Sequence, residues 1–166
     1  MIEWLNKMLL VADCSALVAL ASCDALIFLE PLYGQVIVPI EVFNECCVEG
    51  KPYCDILKLY LKDKVKPLVC NNLSSLNGVG IADLGEMQAM QLYKECNADN
   101  LLIDDKKGKK IAQSNHINSI GSLTVLLDAK KAGLTHHIKP LIECIRLSTV
   151  FVSDVLLDTV LRMADE

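Results

Sequence analysis

Residues 8–17 read M-L-L-V-A-D-C-S-A-L, and this stretch decides the fold. The run 8–12 is short and wholly apolar, which is typical of a buried strand in a parallel sheet. The acid Asp13 follows that run directly, and a helical stretch starts from Ala16. A buried strand that leads at once into a helix predicts the first half of a strand–helix–strand unit.

Similar strand and helix patterns alternate along the rest of the chain. We expect further strands at 36–38, 65–70, 101–103 and 117–120. We expect further helices at 24–33, 39–47, 55–61, 82–96, 106–114, 122–132, 138–147 and 153–163, with a loop over 71–80. This alternation predicts an α/β fold with three layers, α/β/α, around a mostly parallel central sheet of about four to five strands.

The length and composition agree with one folded domain. The chain has 166 residues, of which 52% are hydrophobic and 22% are charged, so a disordered chain is excluded. A single core supports roughly 100 to 200 residues, and we therefore expect one domain over 1–166. The C-terminal helices, about 138–164, are expected to pack on that core or on a dimer partner.

The net charge and the cysteines indicate which partners the protein can bind and in which cellular compartment it works. The net charge is −5, which argues against a generic polyanion coat, so nucleic acid would need a local basic patch or a bound cation. The eight cysteines contain no C-x-x-C and lie mostly in apolar runs. They predict a cytoplasmic protein with reduced thiols.

A signal peptide is the alternative for the N-terminal stretch, since Lys7 precedes the apolar run 8–21 and L-A-S-C at 20–23 resembles a lipoprotein cleavage site. Asp13 lies within that run, and a carboxylate at the centre of an inserted helix costs about 2.5 to 3.5 kcal/mol. No other apolar run approaches the roughly 18 residues that a membrane span needs, so we expect no membrane association.

Carboxylates follow the predicted strands. Asp13 comes after the first strand, and Asp104 and Asp105 come after the strand 101–103. In an open parallel sheet, ligands bind beyond the carboxyl ends of the strands. Two further acids lie on helices, Glu45 on 39–47 and Glu86 on an apolar face of 82–96.

Converging carboxylates raise one another's pKa values unless a positive charge lies between them. A hard divalent cation such as Mg²⁺ or Mn²⁺ supplies that charge, and with a bound phosphate it also activates water. The pattern therefore points to hydrolysis of phosphate esters.

Four segments carry a family resemblance. V-A-D-C-S-A-L, V-P-I-E-V-F-N-E, L-G-E-M-Q-A-M and L-L-I-D-D-K-K-G-K-K-I-A, at 11–17, 38–45, 84–90 and 101–112, resemble the conserved blocks of PIN-domain nucleases in order and spacing. The segment 120–134, I-G-S-L-T-V-L-L-D-A-K-K-A-G-L, resembles the block that follows in a poorly characterised prokaryotic branch. The resemblance covers roughly residues 9–134.

The resemblance implies a site and an activity. The family's four acids fall on Asp13, Glu45, Glu86 and Asp105, and Asp104 is a neighbour that could substitute. Ser15 falls on the position that supports the metal site. In the family these groups hold one or two Mg²⁺ or Mn²⁺ ions that activate water to cut single-stranded RNA. Many members are VapC-like toxins that pair with an antitoxin protein, and members commonly form homodimers.

The chain departs from the family pattern at two positions. Ile103 replaces the usual threonine two positions before the fourth acid, and Gln88 stands where the branch often has a second glutamate. These departures leave open an alternative, a catalytically inactive PIN-like protein with an interaction or regulatory role.

Other residues of the candidate site have two interpretations each. Asp13 and the pair Asp104 and Asp105 could simply cap the helices that follow them. Beside Asp105 lies a cluster of lysines that could contact RNA phosphates or form a solvated helix face. The cluster consists of Lys106, Lys107, Lys109 and Lys110.

Overall fold

The computed structural model of the protein describes residues 8–70 and 72–166. Within these ranges a parallel sheet of four strands runs in the order β2-β1-β3-β4. The strands are β1 (Leu9–Ala12), β2 (Gln35–Ile37), β3 (Asn100–Leu102) and β4 (Ser119–Ile120). The prediction of an α/β fold with a parallel sheet is confirmed.

Nine α-helices connect and flank these strands in the described ranges. They are α1 (Cys14–Ala21), α2 (Leu29–Tyr33), α3 (Ile40–Cys46), α4 (Cys54–Leu61), α5 (Leu84–Cys96), α6 (Lys106–Ser114), α7 (Ser122–Lys131), α8 (Lys139–Leu147) and α9 (Asp154–Met163). Short 3-10 turns lie at Ala25–Phe28 and Leu73–Ser75. No single helix in the described ranges is long and apolar enough to cross a membrane; one sharply bent helix pair, α1 with 25–33, meets the criterion by length and composition only.

The core lies on both faces of β1, one of the two central strands. Val11 pairs with Ile37 of β2 and with Leu101 of β3. Leu10, Val11 and Ala12 are all fully buried. Because successive residues of a strand point to opposite faces, helices must cover both sides of the sheet. The predicted three layers follow from this burial.

The predicted strand at 65–70 is wrong. Only Val65 joins the sheet region, through an isolated bridge to Val38. Pro67 has no N–H to donate to a ladder, and Val69 is 93% exposed. The backbone N–H groups of Val69 and Cys70 donate instead to the Glu95 carboxylate on α5, at 2.9 and 3.0 Å.

The predicted helix at 24–33 is divided into a 3-10 turn and α2. Pro31 cannot donate an amide hydrogen bond to the carbonyl four residues earlier, so an α-helix can begin only shortly before it.

The C-terminal helix α9 contacts α7 and α8. Its apolar stripe, Leu157, Val160, Leu161 and Ala164, is buried against the same chain.

Candidate functional site

The candidate site lies between β1 and β3, where the chain changes from building the sheet on one side of β1 to building it on the other. From β1 the chain adds β2 on one side, and β3 and β4 lie on the other. Such a switch point opens a crevice beyond the carboxyl ends of the two central strands. Asp13 follows β1 there, and its backbone N–H donates to the Leu102 carbonyl of β3 at 2.8 Å. Asp104 follows β3 at the same edge, so the sheet itself brings these acids together.

Asp13 is held in place by Ser15. The Ser15 hydroxyl donates to Asp13 Oδ2 at 2.9 Å, and the Ser15 backbone N–H reaches the same oxygen at 3.3 Å. Asp13 is therefore the N-cap of α1, and it also lies at the candidate site. Only 3% of its surface is exposed, and this burial raises its pKa to about 6. Ser15 Oγ accepts from the Asp104 N–H at 3.3 Å, which links the ends of β1 and β3.

Glu86 lies in the first turn of α5 beside Asp83. The Glu86 N–H donates to Asp83 Oδ1 at 2.8 Å, and the Asp83 N–H donates to Glu86 Oε2 at 3.1 Å, so the two residues form a capping box. Glu86 is buried, and burial together with the negative charges of Asp83, Asp13 and Asp105 raises its pKa to about 7. Glu86 therefore lies close enough to the other acids for electrostatic repulsion between the carboxylates.

Glu45, in the last turn of α3, faces the start of α5. Burial and the charge of Asp83 raise the pKa of Glu45. An ideal Cβ on Gly85 would lie 3.0 Å from Glu45 Oε2 and 3.4 Å from Asp83 Oδ1, so the missing side chain permits this close approach. Glu45, Asp83 and Gly85 line a cleft of about 420 Å³ with Glu41, Asn44, Val48 and Leu84.

The neighbouring acids Asp104 and Asp105 point to different partners. Asp105 caps α6, where its Oδ2 accepts from the Gly108 N–H at 2.7 Å, and its charge acts on Glu86. Both carboxylate oxygens of Asp104 accept from Ser122, Oδ1 from the backbone N–H at 2.8 Å and Oδ2 from the hydroxyl at 2.7 Å. Asp104 thus ties the end of β3 to the start of α7.

The four main predicted acids, Asp13, Glu45, Glu86 and Asp105, lie at one edge of the sheet. They do not form a complete set of ligands around one point. In the described part of the chain, no three His, Cys, Asp or Glu side chains stand close enough together to hold a metal ion. Burial, together with the neighbouring carboxylates, raises the pKa of Asp13, Glu45 and Glu86. The site is rich in oxygen donors and in excess negative charge.

Asp83 is a site residue that the sequence analysis missed. Its charge contributes to the raised pKa of Asp13, Glu45 and Glu86, so it is the acid common to all three. Asp83 is also the N-cap of α5. The sequence carries one signal for it, the spacing D-x-x-E at 83–86 before an apolar stretch, which is typical of a capping box.

The structure also places Ile103 and Gln88, the two residues that depart from the family pattern, and the lysine cluster. Ile103 is fully buried, and its side chain lies against Gly108 of α6. Gln88 carries a buried Oε1 that has no hydrogen-bond partner among the described residues. Three lysines of the cluster, Lys106, Lys107 and Lys110, are exposed, whereas Lys109 is half-buried.

Comparison with known proteins identifies the family. The family described as PIN domain, DUF3368, matches residues 9–166. A search of the curated proteins found no match. The chain therefore belongs to the PIN-domain family and has the nuclease-type fold of that family.

Proposed function

We propose that this protein is a divalent-metal-dependent endoribonuclease that hydrolyses single-stranded RNA phosphodiesters. The observation that carries the proposal is the burial of Asp13 and Glu86 at the carboxyl edge of the sheet, where burial raises both pKa values. Neither carboxylate has an ion-pair partner among the described residues. Buried acids without a cation cost free energy, and a bound metal ion would remove that cost.

The donor set suits Mg²⁺ or Mn²⁺. The residues that would hold the ion are Asp13, Glu45, Glu86 and Asp105, with Asp104 as a neighbour. All of these donors are carboxylate oxygens, which hard cations prefer. Magnesium is commonly held by one or two carboxylates together with several waters, so a shell of three protein ligands is not required. A bound cation would lower the pKa of a water and offset negative charge on a phosphate.

The residues of the chain have separate tasks in this proposal. Ser15 holds Asp13 Oδ2 through its hydroxyl and its backbone N–H, so the carboxylate is oriented before a ligand arrives. Asp83 orients the first turn of α5 and adds negative charge beside Glu45 and Glu86. The lysines of α6 supply positive charge next to Asp105, which a chain of net charge −5 needs in order to bind RNA.

The partners in this proposal are single-stranded RNA, an antitoxin protein and a second copy of the chain. The toxin role, the antitoxin and the cytoplasmic location rest on the family resemblance and the composition. An exposed apolar surface supports the homodimer. It comprises Leu147, Phe151 and Val155, which are 86%, 96% and 76% exposed at the junction of α8 and α9.

One observation favours a second candidate, a catalytically inactive PIN-like interaction protein. The described carboxylates do not form a group of three around one point, and Gln88 contributes an amide where the branch often has an acid. In that case the acidic residues would serve to cap α1, α5 and α6, as their hydrogen bonds already do.

Cleavage of RNA separates the two candidates. A labelled single-stranded RNA is incubated with Mn²⁺ and the wild-type protein, Asp13→Asn or Asp63→Asn. Asp63 is exposed and forms no described side-chain contact, so its variant controls for the lost charge. The nuclease proposal expects cleavage by the wild type and by Asp63→Asn, and a loss of about 100-fold or more in Asp13→Asn. No cleavage by the wild type at any Mn²⁺ concentration would favour the interaction protein.

A further inference from the structure

One half-buried lysine has no side-chain partner among the described residues. Among the described residues, three lysines are half-buried: Lys64, Lys109 and Lys130. The Lys64 ammonium lies 3.1 Å from Glu30 Oε1, and the Lys130 ammonium lies 2.7 Å from Glu166 Oε1. Lys109 forms neither an ion pair nor a side-chain hydrogen bond within the part of the chain that the structure describes. A half-buried ammonium that has no acceptor in the protein keeps its donors available for an anion.

The Lys109 ammonium lies at the same sheet edge as the acids. An ideal Cβ on Gly121 would be 2.8 Å from Lys109 Nζ and 3.0 Å from Asp104 Oδ1. Gly121 follows β4 directly and precedes α7, so this point lies beyond the carboxyl end of β4. Ser122 donates to both oxygens of Asp104, and Lys109 forms no ion pair or side-chain hydrogen bond with that carboxylate, so the donors of its ammonium are available for a ligand.

Lys109 is also adjacent to the candidate catalytic acids along α6. Its backbone N–H donates to the Asp105 carbonyl at 2.9 Å, which places it one helical turn after Asp105. A ligand that crosses this edge would meet carboxylates on one side and an ammonium on the other. A phosphodiester with its accompanying divalent cation has the matching charges.

We infer that Lys109 binds a backbone phosphate of the single-stranded nucleic acid at the carboxyl edge of the sheet, beside Asp104 and Gly121. The inference rests on the proposed function and adds a binding residue to that site. The three exposed lysines of the cluster, Lys106, Lys107 and Lys110, contribute only to the general positive potential. Lys109 therefore fixes the position of the strand relative to Asp105.

Gly121 provides a second way to test the inference. A methyl group at this position would occupy the space of the Lys109 ammonium, which is the end of a flexible side chain and can move away. The φ of Gly121 is −109°, so alanine fits the backbone without strain. Gly121→Ala should therefore displace the ammonium and shift the Asp104 carboxylate by a few tenths of an ångström, while the net charge of the protein remains unchanged.

The experiment measures binding separately from cleavage. Fluorescence anisotropy follows a labelled single-stranded oligothymidylate, which lacks the 2′-hydroxyl of RNA, in the presence of Ca²⁺ and over a series of salt concentrations. The proteins are the wild type, Lys109→Met, Gly121→Ala, Lys110→Met and Lys94→Met. Lys94 is exposed in the last turn of α5, at the far end of that helix from Glu86, so its variant controls for net charge. Thermal unfolding of each variant confirms that it is folded.

The inference expects binding to weaken about tenfold in Lys109→Met and in Gly121→Ala, with less than about a threefold change in Lys110→Met and none in Lys94→Met. The slope of log K against log salt should fall by about 0.7 in Lys109→Met, which corresponds to one phosphate contact on a single strand. Equal losses in Lys109→Met and Lys110→Met, or unchanged binding in folded Gly121→Ala, would overturn it.

These outcomes are distinct from those that test the proposed nuclease. Wild-type protein that cuts RNA while Lys109→Met binds normally would contradict only the phosphate site. Wild-type protein that binds through Lys109 but cuts no RNA would contradict only the nuclease. Failure of the wild type to bind any single strand would overturn the phosphate site directly.

Discussion

Asp83 and Glu86 each bind the backbone N–H of the other, at 2.8 and 3.1 Å, and this exchange starts α5 at the candidate site. The same capping box that begins the helix also holds two carboxylates side by side. Their repulsion is one reason for the raised pKa of Glu86, after burial itself. Asp83 and Glu86 therefore both stabilise the start of α5 and contribute negative charge to the candidate site.

The buried acids make stability depend on pH. The pKa of Asp13 rises from 3.8 to about 6 and that of Glu86 from 4.5 to about 7 on folding. An acid with a raised folded pKa favours folding below its unfolded pKa, and this contribution is lost as the pH rises through the folded value. We expect the metal-free protein to be more stable at pH 5 than at pH 8. Thermal unfolding across this range measures the difference.

Asp13→Asn should stabilise the metal-free protein at pH 8. Asparagine caps helices about as well as aspartate, so the cap of α1 is kept while the buried charge is removed. A shift of about two pKa units corresponds to a gain on the order of 3 kcal/mol in the free energy of unfolding. Asp63→Asn should leave the pH profile unchanged. If Asp13→Asn destabilised the protein equally at pH 5 and pH 8, the Asp13 carboxylate would have only a structural role.

Gly85→Ala should weaken metal binding at the candidate site without lowering the stability of the fold. Alanine in a helix is more stable than glycine by roughly 0.5 to 1 kcal/mol, but its Cβ would lie 3.0 Å from Glu45 Oε2 and would push that carboxylate away. We expect unchanged or slightly higher thermal stability and about tenfold weaker Mn²⁺ binding by calorimetry. Normal Mn²⁺ affinity in the folded variant would show that Glu45 does not bind the metal ion.

Much of this site could be predicted from the sequence because it follows from strand order. Asp13 directly follows an apolar run that is typical of a buried strand, and parallel strands end at one edge. Asp83 was missed because its one signal, D-x-x-E at 83–86, is typical of any capping box and does not mark a site, and because the predicted helix 82–96 placed Asp83 within the helix. The sequence likewise gives no reason to single out Lys109 among four lysines, since its burial depends on where β4 places Gly121.

The wrong strand at 65–70 has a different cause. Its apolar residues, Val65, Leu68 and Val69, resemble a strand in composition, but Lys66 and Pro67 interrupt them. The tertiary contact that holds the segment comes from the Glu95 carboxylate, which lies 25 or more residues away in sequence. Local patterns do not contain such contacts.

Glu166 should contribute to the attachment of the C-terminal helices. Its carboxylate, 8% exposed, lies 2.7 Å from Lys130 Nζ and accepts the backbone N–H groups of Ile138 and Lys139 at 2.9 Å each. We expect Glu166→Ala to lower the free energy of unfolding by about 1 to 3 kcal/mol, because these N–H groups lose their acceptor and Lys130 keeps only the Ala164 carbonyl. Glu143→Ala removes an exposed ion pair with Arg146 and should cost less than about 1 kcal/mol. Equal losses in urea unfolding would contradict the importance of Glu166 burial.

The exposed apolar surface of Leu147, Phe151 and Val155 should control self-association. If this surface forms the homodimer, Phe151→Asp introduces an unpaired charge into the interface and should yield monomer. Light scattering after size exclusion measures the mass of the particle. Leu59→Asp, at a residue that is 69% exposed on α4, is the control and should keep the mass of the wild type. A wild-type protein that is monomeric at all concentrations would contradict the dimer.

The most direct test of the central claim is a calorimetric titration of Mn²⁺ into the wild-type protein, Asp13→Asn and Asp63→Asn at neutral pH. The claim is that the acids at the carboxyl ends of β1 and β3 form a divalent cation site. We expect saturable binding by the wild type and by Asp63→Asn, and at least about tenfold weaker binding by Asp13→Asn. Wild-type protein that shows no saturable Mn²⁺ binding at millimolar concentrations, or Asp13→Asn that binds as the wild type does, would contradict the claim.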